Sequence, residues 1–320
     1  MILTVTLNAA VDRTVVVPNL TLGHRHRAPE NLTLAGGKGI NVARGLKALG
    51  VPVLATGLAG GRNRDAIRDG LSEAAIPFDF VEIKGQSRTS TAIIDPTSGT
   101  QTEINEYGPR VLPEEAEEFA RRFNFLLEYA TAVVFAGSLP RDMEESFLAR
   151  LIQDARGREL TTVVDSTPTV LRAALKANPS LVSPNQHEAE SVVGFDFIER
   201  EDFPRGVRRL VELGAGRACI TSPEGHSYLT LDGESVLAAH APRVEPRSTI
   251  GSGDAYLAGL LAGLLHRELD PLEAIRLAAG CAAANAEMLG AGVFDPRRAE
   301  ELAREVEVEI LEGGTERDAV

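Results

Sequence analysis

The sequence has few cysteines and no long apolar run, and each shortage excludes a class of protein. Only two cysteines, Cys219 and Cys281, occur in 320 residues, and both lie in apolar stretches. A miniprotein held together by disulfides is excluded, and two buried free thiols are expected rather than a bridge or a cysteine zinc site. The longest apolar run, residues 255–265, is too short to cross a bilayer and is typical of a buried helix.

Net positive charge is also absent, because 33 basic residues face 46 acidic ones and the formal charge is -13. Such a chain repels polyanions at long range, so neither nucleic acid nor an anionic membrane is the expected partner. The N-terminal MILTVTL lacks the basic region and the cleavage site of a signal peptide and predicts a first strand. We therefore expect a cytoplasmic protein.

The sequence does contain the composition of a globular domain, with 43% hydrophobic and 25% charged residues. Short β-branched runs alternate with helical patterns, the arrangement of βαβ units around a mainly parallel sheet. The predicted core strands are ILTVTL, VLATGL, TAVVFAG, LTTVVD and ACITS. Helices are predicted over residues 39–49, 113–127, 143–155 and 255–267. The fold class that follows is an α/β sandwich.

Two segments interrupt this alternation, residues 13–34 and 88–107. They are rich in Thr, Val and Ile and carry turn signals such as Pro18-Asn19 and Ser98-Gly99, so we expect hairpins that form a small β-layer. The expected domains are a core of residues 1–12, 35–87 and 108–312, a lid of residues 13–34 and 88–107, and a flexible tail of residues 313–320.

The segment GSGD, residues 251–254, directly precedes a long apolar helix. Gly251 and Gly253 can adopt positive φ, so that backbone N–H groups converge at a helix N-terminus, where the dipole favours an anion. The Asp254 carboxylate could take a proton from an attacking hydroxyl while these amides hold a phosphoryl group. Helix capping by Ser252 or Asp254 explains the same residues without chemistry. Both interpretations stay open at this point.

A second glycine-rich segment, residues 35–44, also opens a helix. The adjacent Gly36 and Gly37 let a ligand approach the backbone, Lys38 adds a mobile positive charge, and Asn41 can bond a polyol. The segment suits a sugar or a phosphate, although a plain glycine turn with a surface lysine fits equally well. Its spacing is not that of a P-loop.

Polar side chains follow two other predicted strands. Asp12 comes just after the first strand, where ligands of open α/β sheets bind, and it could accept hydrogen bonds from two sugar hydroxyls or be a turn residue. Asn185 and Glu188 open another helix, three residues apart. They suit a magnesium ion that keeps several of its waters, or a capping box.

Together and in this order, these segments resemble the PfkB or ribokinase-like family of sugar kinases over nearly the whole chain. The resemblance rests on TLNAAVD, GGKGINVARGLKALG, AGSLP, the pair Asn185 and Glu188, and GSGDAYLAG. It is strongest to the branch that phosphorylates sugar phosphates. It implies a ribokinase-like three-layer α/β/α sandwich with a mainly parallel central sheet and a small β-sheet lid.

The resemblance also implies roles for the matching residues. Asp254 would be the catalytic base, and Gly251, Ser252 and Gly253 would form the anion hole. The sugar phosphate would be held by Asp12, Gly37, Lys38, Asn41, Ser138 and Arg88, the last through its two-pronged guanidinium. Arg27, or alternatively Arg25, would reach the same phosphate from the first hairpin of a neighbouring subunit, because the hairpins would pair in a homodimer.

On the nucleotide side, the resemblance implies an ATP site made of Ser183, Asn185, Ser222, Gly225 and Asn285. Ser183 stands where many members have a lysine, so one positive contact to the ATP phosphates is missing. Glu188 would organise Mg²⁺ indirectly, through water.

The expected function is ATP- and Mg²⁺-dependent phosphorylation of a ketohexose phosphate, foremost of fructose 1-phosphate to fructose 1,6-bisphosphate. Tagatose 6-phosphate and fructose 6-phosphate are alternative acceptors, since no residue discriminates among the three. A different class of function is a sugar-phosphate-binding regulator that kept the fold and lost the chemistry. The intact residues 251–254 argue against that class.

Overall fold

A computed structural model describes residues 1–231 and 235–311, so the predicted tail of residues 313–320 lies outside the described residues. The strands are β1 Ile2–Thr6, β2 Ala10–Val16, β3 Glu30–Gly36, β4 Val53–Gly60, β5 Phe78–Ile83, β6 Arg88–Asp95, β7 Thr100–Asn105, β8 Ala132–Ala136, β9 Thr161–Asp165, β10 Leu181–Val182, β11 Arg217–Thr221, β12 His226–Thr230, β13 Val236–His240 and β14 Glu307–Leu311. The α-helices are α1 Lys38–Ala48, α2 Gly61–Glu73, α3 Pro113–Leu126, α4 Glu145–Arg156, α5 Pro168–Leu175, α6 Gln186–Val193, α7 Asp202–Glu212, α8 Ser252–Leu261, α9 Pro271–Ala286 and α10 Pro296–Ala303.

The central sheet has ten strands within the described residues, in the order β14-β13-β12-β11-β10-β9-β8-β1-β4-β5. The seven strands from β11 to β5 pair in parallel, and β12, β13 and β14 continue the sheet antiparallel. All five predicted core strands are confirmed, with ends that shift by two residues or fewer. The carboxyl ends of the parallel strands therefore share one edge of the sheet.

Helices cover both faces of this sheet, which explains why its central strands are apolar on both sides. In β1, Leu3 and Val5 belong to one buried cluster and Ile2 to the other. The first cluster packs under α3, α4, α5 and α7, and the second under α1, α2, α8, α9 and α10. The predicted three-layer α/β/α sandwich is confirmed.

The helix predicted over residues 255–267 differs from the structure at both ends. The α-helix begins at Ser252, because Gly251 is its N-cap in the left-handed conformation, with φ 77°. It ends at Leu261 and continues as a π-helical turn, Ala262–His266. Apolar periodicity alone did not predict the change of helix type, because a π-helical turn of five residues is too short to show a period of its own.

A separate small sheet contains the two predicted hairpins, in the order β3-β2-β6-β7. Strands β2 and β3 are antiparallel, as are β6 and β7, while β2 and β6 join the hairpins in parallel. The boundaries expected at residues 12 and 35 fall inside β2 and β3, because these strands run on to Ala10 and Gly36. Asp12 thus belongs to the small sheet and not to the loop after β1.

Both cysteines are free and buried, as their apolar surroundings predicted. Within the described residues, no helix combines the length and the apolar character that crossing a membrane requires.

Candidate active site

A cleft of about 740 Å³ lies where the carboxyl edge of the central sheet faces the small sheet. Its floor includes Thr6 at the end of β1, Asp165 at the end of β9 and Ser183 after β10. Its roof includes Arg88 of β6 and Glu103 of β7. This is the position in which open α/β sheets bind ligands, because side chains from several strands converge there.

Asp254 lies in the first turn of α8, lines this cleft and is 6% exposed. Its Oδ2 accepts a hydrogen bond from Asn41 Nδ2 at 2.8 Å. Burial, reinforced by the charge of Asp165, raises the pKa of Asp254 to about 7, against the opposing charge of Lys38. A carboxylate with this pKa can accept a proton near neutral pH.

Asn41 is held in place by Arg44, whose NH1 donates to Asn41 Oδ1 at 3.0 Å. Both ends of the Asn41 amide are therefore bonded within the protein, although the sequence suggested that this amide binds a polyol. Because Arg44 occupies the oxygen, the Asn41 nitrogen is directed at Asp254. Asn41 thus orients the candidate base.

The start of α8 lines the cleft with Gly251, Gly253 and Asp254. The first N–H groups of a helix have no acceptor inside the helix, and those of Gly253 and Asp254 belong to the first turn of α8. Gly251 has the expected positive φ, whereas Gly253 is helical, which corrects one part of the prediction. A Cβ on Gly253 would meet no protein atom within 4 Å. The absence of that Cβ leaves free space beside the amides, where a phosphoryl group fits.

Lys38 is held by two carboxylates of the cleft. Its Nζ lies 2.6 Å from Asp165 Oδ1 and 3.3 Å from Glu188 Oε1. Burial alone would lower the pKa of Lys38, but Asp165, Glu188 and Asp254 outweigh it and hold the pKa above its ordinary value. The ammonium therefore stays charged beside the candidate base. That this ammonium also holds the sugar phosphate, as the resemblance implies, stays a prediction.

Gly36 and Gly37 have no side chains, which lets Asp12 and the end of β1 lie against their backbone. A Cβ on Gly36 would lie 2.0 Å from Asp12 Cγ, and one on Gly37 would lie 2.7 Å from Thr6 Cγ2. The Gly37 N–H donates to Asp12 Oδ2 at 3.4 Å. Burial raises the pKa of Asp12, although Arg88 opposes the shift. Asp12 thus lines the cleft with an oxygen available to a hydroxyl.

Asn8 connects Arg88 and Ser138 at one part of the cleft. The sequence motifs did not single out Asn8 as a site residue. Asn8 Nδ2 donates to Ser138 Oγ at 3.0 Å and to Leu139 O at 3.3 Å, and Asn8 O accepts from Arg88 Nε at 3.4 Å. Because an amide N–H already donates to Ser138 Oγ, the Ser138 hydroxyl proton is free to point into the cleft. An arginine and a hydroxyl donor together suit a phosphate.

A second cleft, of about 700 Å³, adjoins the first and includes Ser222 and Gly225. Asn185, Thr221, Thr249 and Gly253 line both clefts. The two spaces therefore meet at the start of α8. Asn185 and Glu188 also form the capping box of α6, with Glu188 N donating to Asn185 Oδ1 at 2.9 Å and Asn185 N donating to Glu188 Oε2 at 3.0 Å.

Two expected site residues lie outside both clefts. Asn285 is 0% exposed, and its Nδ2 donates to Ile250 O at 3.0 Å. It cannot contact an adenine, and it supports the glycine loop instead. Arg27 is exposed in the connection between β2 and β3 and does not line the first cleft. Asn285 was misplaced because a sequence cannot show which side of α9 faces the loop.

Asp165 is a second site residue that sequence reasoning missed. It ends β9 at the carboxyl edge of the sheet, where it is buried and paired with Lys38. The signal was present, since an aspartate ends the predicted strand LTTVVD. Only the order of the strands shows that this end faces Lys38.

Comparison with known proteins identifies the family. Residues 5–298 match the family described as pfkB family carbohydrate kinase. The chain belongs to the pfkB family of carbohydrate kinases. It is accordingly a sugar kinase, and ATP is the phosphoryl donor that a kinase of this family implies.

Solved structures of phosphofructokinases resemble this pfkB kinase over almost its whole length. A Thermotoga maritima protein described as a possible 1-phosphofructokinase is 27% identical, with a TM-score of 0.89 and coverage of 98% of this chain and 100% of the other. The tetrameric inhibited form of Escherichia coli phosphofructokinase-2 is 25% identical, with a TM-score of 0.85 and coverage of 95% and 98%. The pfkB kinase is therefore phosphofructokinase-like and has the ribokinase-like fold.

Proposed function

We propose that the protein transfers the γ-phosphoryl group of ATP to a hydroxyl of a ketohexose phosphate, foremost fructose 1-phosphate. The single observation that carries this proposal is the position of Asp254. It is a buried carboxylate with a pKa of about 7, placed where the two clefts meet beside the free amides of α8.

In the reaction, the acceptor hydroxyl oxygen forms a bond to the γ-phosphorus and loses its proton to Asp254. The bond between the γ-phosphorus and the bridging oxygen breaks, and ADP leaves. Asn41 fixes the carboxylate that takes the proton. Phosphoryl transfer depends chiefly on positioning and on charge stabilisation, and the cleft supplies both.

Two groups can stabilise the negative charge that accompanies transfer. The N–H groups at the start of α8 lie at the positive end of the helix dipole. The Lys38 ammonium remains protonated between Asp165 and Glu188. Arg88 and Ser138 are proposed to hold the phosphate that the sugar already carries.

Magnesium fits this arrangement as a partner of the nucleotide. The described residues contain no group of three or more His, Cys, Asp or Glu that could enclose a metal ion. Asp165 and Glu188 do line the cleft, and Mg²⁺ in kinases is held by one or two carboxylates, waters and substrate phosphates. When bound, the ion would neutralise phosphate charge. We propose that Glu188 acts on it through water.

We also propose that the protein is a cytoplasmic homodimer formed through the small sheet. The face of this sheet away from the cleft carries Val15, Ile93 and Ile104, and Ile104 is 56% exposed. A second copy of the chain packed against this face would remove these apolar side chains from water. Arg27, exposed on the same lid, would then reach a partner's cleft.

The experiment that tests the function measures ADP formation with fructose 1-phosphate, fructose 6-phosphate, tagatose 6-phosphate and unphosphorylated fructose. We expect turnover with a hexose phosphate at a kcat/KM at least about tenfold above that for fructose, because Arg88 then has an anion to bind. Binding of the sugar phosphates without any ADP formation would overturn the proposal and favour a regulator. An equal kcat/KM for fructose and for the hexose phosphates would contradict the proposal that Arg88 and Ser138 bind a phosphate.

A further inference from the structure

Gln101 of β7 connects the small sheet to the loop of residues 247–251, which leads into α8. Gln101 Nε2 donates to Thr249 Oγ1 at 2.6 Å. Gln101 Oε1 accepts from Ser248 Oγ at 3.0 Å and from the Thr249 N–H at 3.1 Å. All six residues of β7 are exposed. Apolar packing therefore does not hold β7 against this loop, and the three hydrogen bonds of Gln101 make the contact.

The loop that Gln101 contacts, residues 247–251, leads directly into α8 and the candidate anion hole. Thr249 lines both clefts, and Thr249 O accepts the N–H of Ser252 at 3.2 Å. Ser248 Oγ also accepts the N–H of Ile250 at 3.2 Å. The position of Ser248 and Thr249 therefore helps to set the backbone of residues 250–252.

The other side of this loop is fixed to the core. Ala286 O, at the end of α9, accepts the N–H of Arg247 at 2.7 Å, and Asn285 supports Ile250. A second contact with the small sheet joins the Arg247 guanidinium to both oxygens of Glu30, at 3.0 and 3.1 Å. Both groups of this pair are about half exposed, so the pair contributes little by itself.

We propose that Gln101 is a positioning residue that couples the sugar-phosphate site to the nucleotide site. Arg88 of β6 lines the sugar cleft, and β6 pairs with β7 along its length. A sugar phosphate bound by Arg88 fixes the small sheet over the cleft. Gln101 transmits this position to Ser248 and Thr249, and Thr249 lines the second cleft, which is the proposed nucleotide site. The inference rests on the proposed function, because it assumes that both ligands bind.

Coupling between the two sites is reciprocal, so each ligand must tighten the other by the same factor. We therefore define the coupling factor as the Kd of a non-hydrolysable ATP analogue without sugar phosphate, divided by its Kd at saturating sugar phosphate. Calorimetry on the full chain with Mg²⁺ measures both values. The unmodified chain is expected to give a factor of about ten, equal to about 1.4 kcal/mol.

The decisive variant is Gln101→Leu, which keeps the size of the side chain and removes all three hydrogen bonds. The coupling factor should fall at least about threefold, towards one. Gln101→Glu keeps the acceptor oxygens that Ser248 and Thr249 use, and it should retain most of the coupling. Gln153→Leu, the same substitution on an exposed face of α4, is the matched control and should leave the factor unchanged.

Several results would overturn the inference while leaving the proposed function intact. One is a chain that phosphorylates hexose phosphates yet has a coupling factor of one. Another is a factor in Gln101→Leu equal to that of the unmodified chain. If Gln101→Leu does not fold, Gln101→Ala makes the same comparison without a branched apolar side chain. Absence of phosphoryl transfer by the unmodified chain would instead overturn the proposed function.

Discussion

At the scale of single residues, the active site is built from side chains that hold one another. Arg44 fixes Asn41, Asn41 bonds Asp254, and Lys38 joins Asp165 to Glu188. The charges in such a network interact more strongly than they would in bulk water, because a buried site has a lower dielectric constant. The consequence of burial, reinforced by the charge of Asp165, is the raised pKa of Asp254, which Lys38 and Asn41 oppose.

The pH dependence of activity tests this consequence. Asp254 accepts a proton only as the carboxylate, so kcat/KM should rise with pH and reach half its plateau near pH 7, where the pKa lies. A profile measured from pH 5.5 to 9 would show this limb. Asp254→Asn should lower kcat at least about a thousandfold and leave sugar-phosphate binding within about threefold. A profile that stays flat down to pH 5.5 would contradict the assignment of Asp254.

Asn8 supplies a second prediction at this scale. Asn8→Asp has almost the same shape but replaces a donor by an acceptor, so the Ser138 proton would turn back to residue 8. The KM for the sugar phosphate should rise about tenfold or more, and the KM for ATP should change little.

The control for Asn8 is the same substitution in a Ser138→Ala background. If Asn8 acts through Ser138, the added effect of Asn8→Asp should be much smaller there. An undiminished effect in that background would mean that the new negative charge, and not the hydroxyl, is responsible.

At the scale of elements, the start of α8 combines two glycines with different tasks. Gly251 needs its left-handed conformation, and a Cβ there would lie 2.3 Å from Ala291 Cα. Gly253 is helical and faces open space. The fold therefore requires the first glycine, and the proposed anion hole would require the second.

Gly253→Ala separates these tasks. The unfolding temperature should stay within about 2 °C or rise, because alanine suits a helix and meets no protein atom. The added methyl group would occupy the space for the phosphoryl group, so kcat/KM should fall at least about a hundredfold. Gly157→Ala, at the end of α4 with φ -60°, should change neither quantity. Full activity in Gly253→Ala would contradict the proposal that the amides at the start of α8 bind the phosphoryl group.

At the scale of the whole molecule, the small sheet roofs one cleft and leaves its outer face uncovered in a single chain. Ile104→Lys places a charge on that face. We expect sedimentation velocity to show a dimer for the unmodified chain at micromolar concentration and a monomer for this variant. Ile198→Lys alters a more exposed isoleucine, 83% exposed and outside the small sheet, and this variant should stay dimeric. A monomeric unmodified chain would contradict the dimer proposal.

The sequence by itself determined the layer architecture and the order of the site segments. Its apolar runs specify strands buried on both faces, and its glycines mark where the backbone turns or lies close to a ligand. Asp254, beside its glycines, and Asp12, just after the first strand, could therefore be predicted as site residues.

Only the tertiary structure decided which partners these residues have. Lys38 pairs with Asp165, Asn41 bonds Asp254, and Asn285 supports a loop instead of lining the nucleotide cleft. These partners are distant along the chain and meet because the strands end at one edge of the sheet. A local sequence pattern predicts the conformation of the nearby backbone. The partner of a charged side chain, and the pKa of that side chain, depend instead on the residues that the fold places around it.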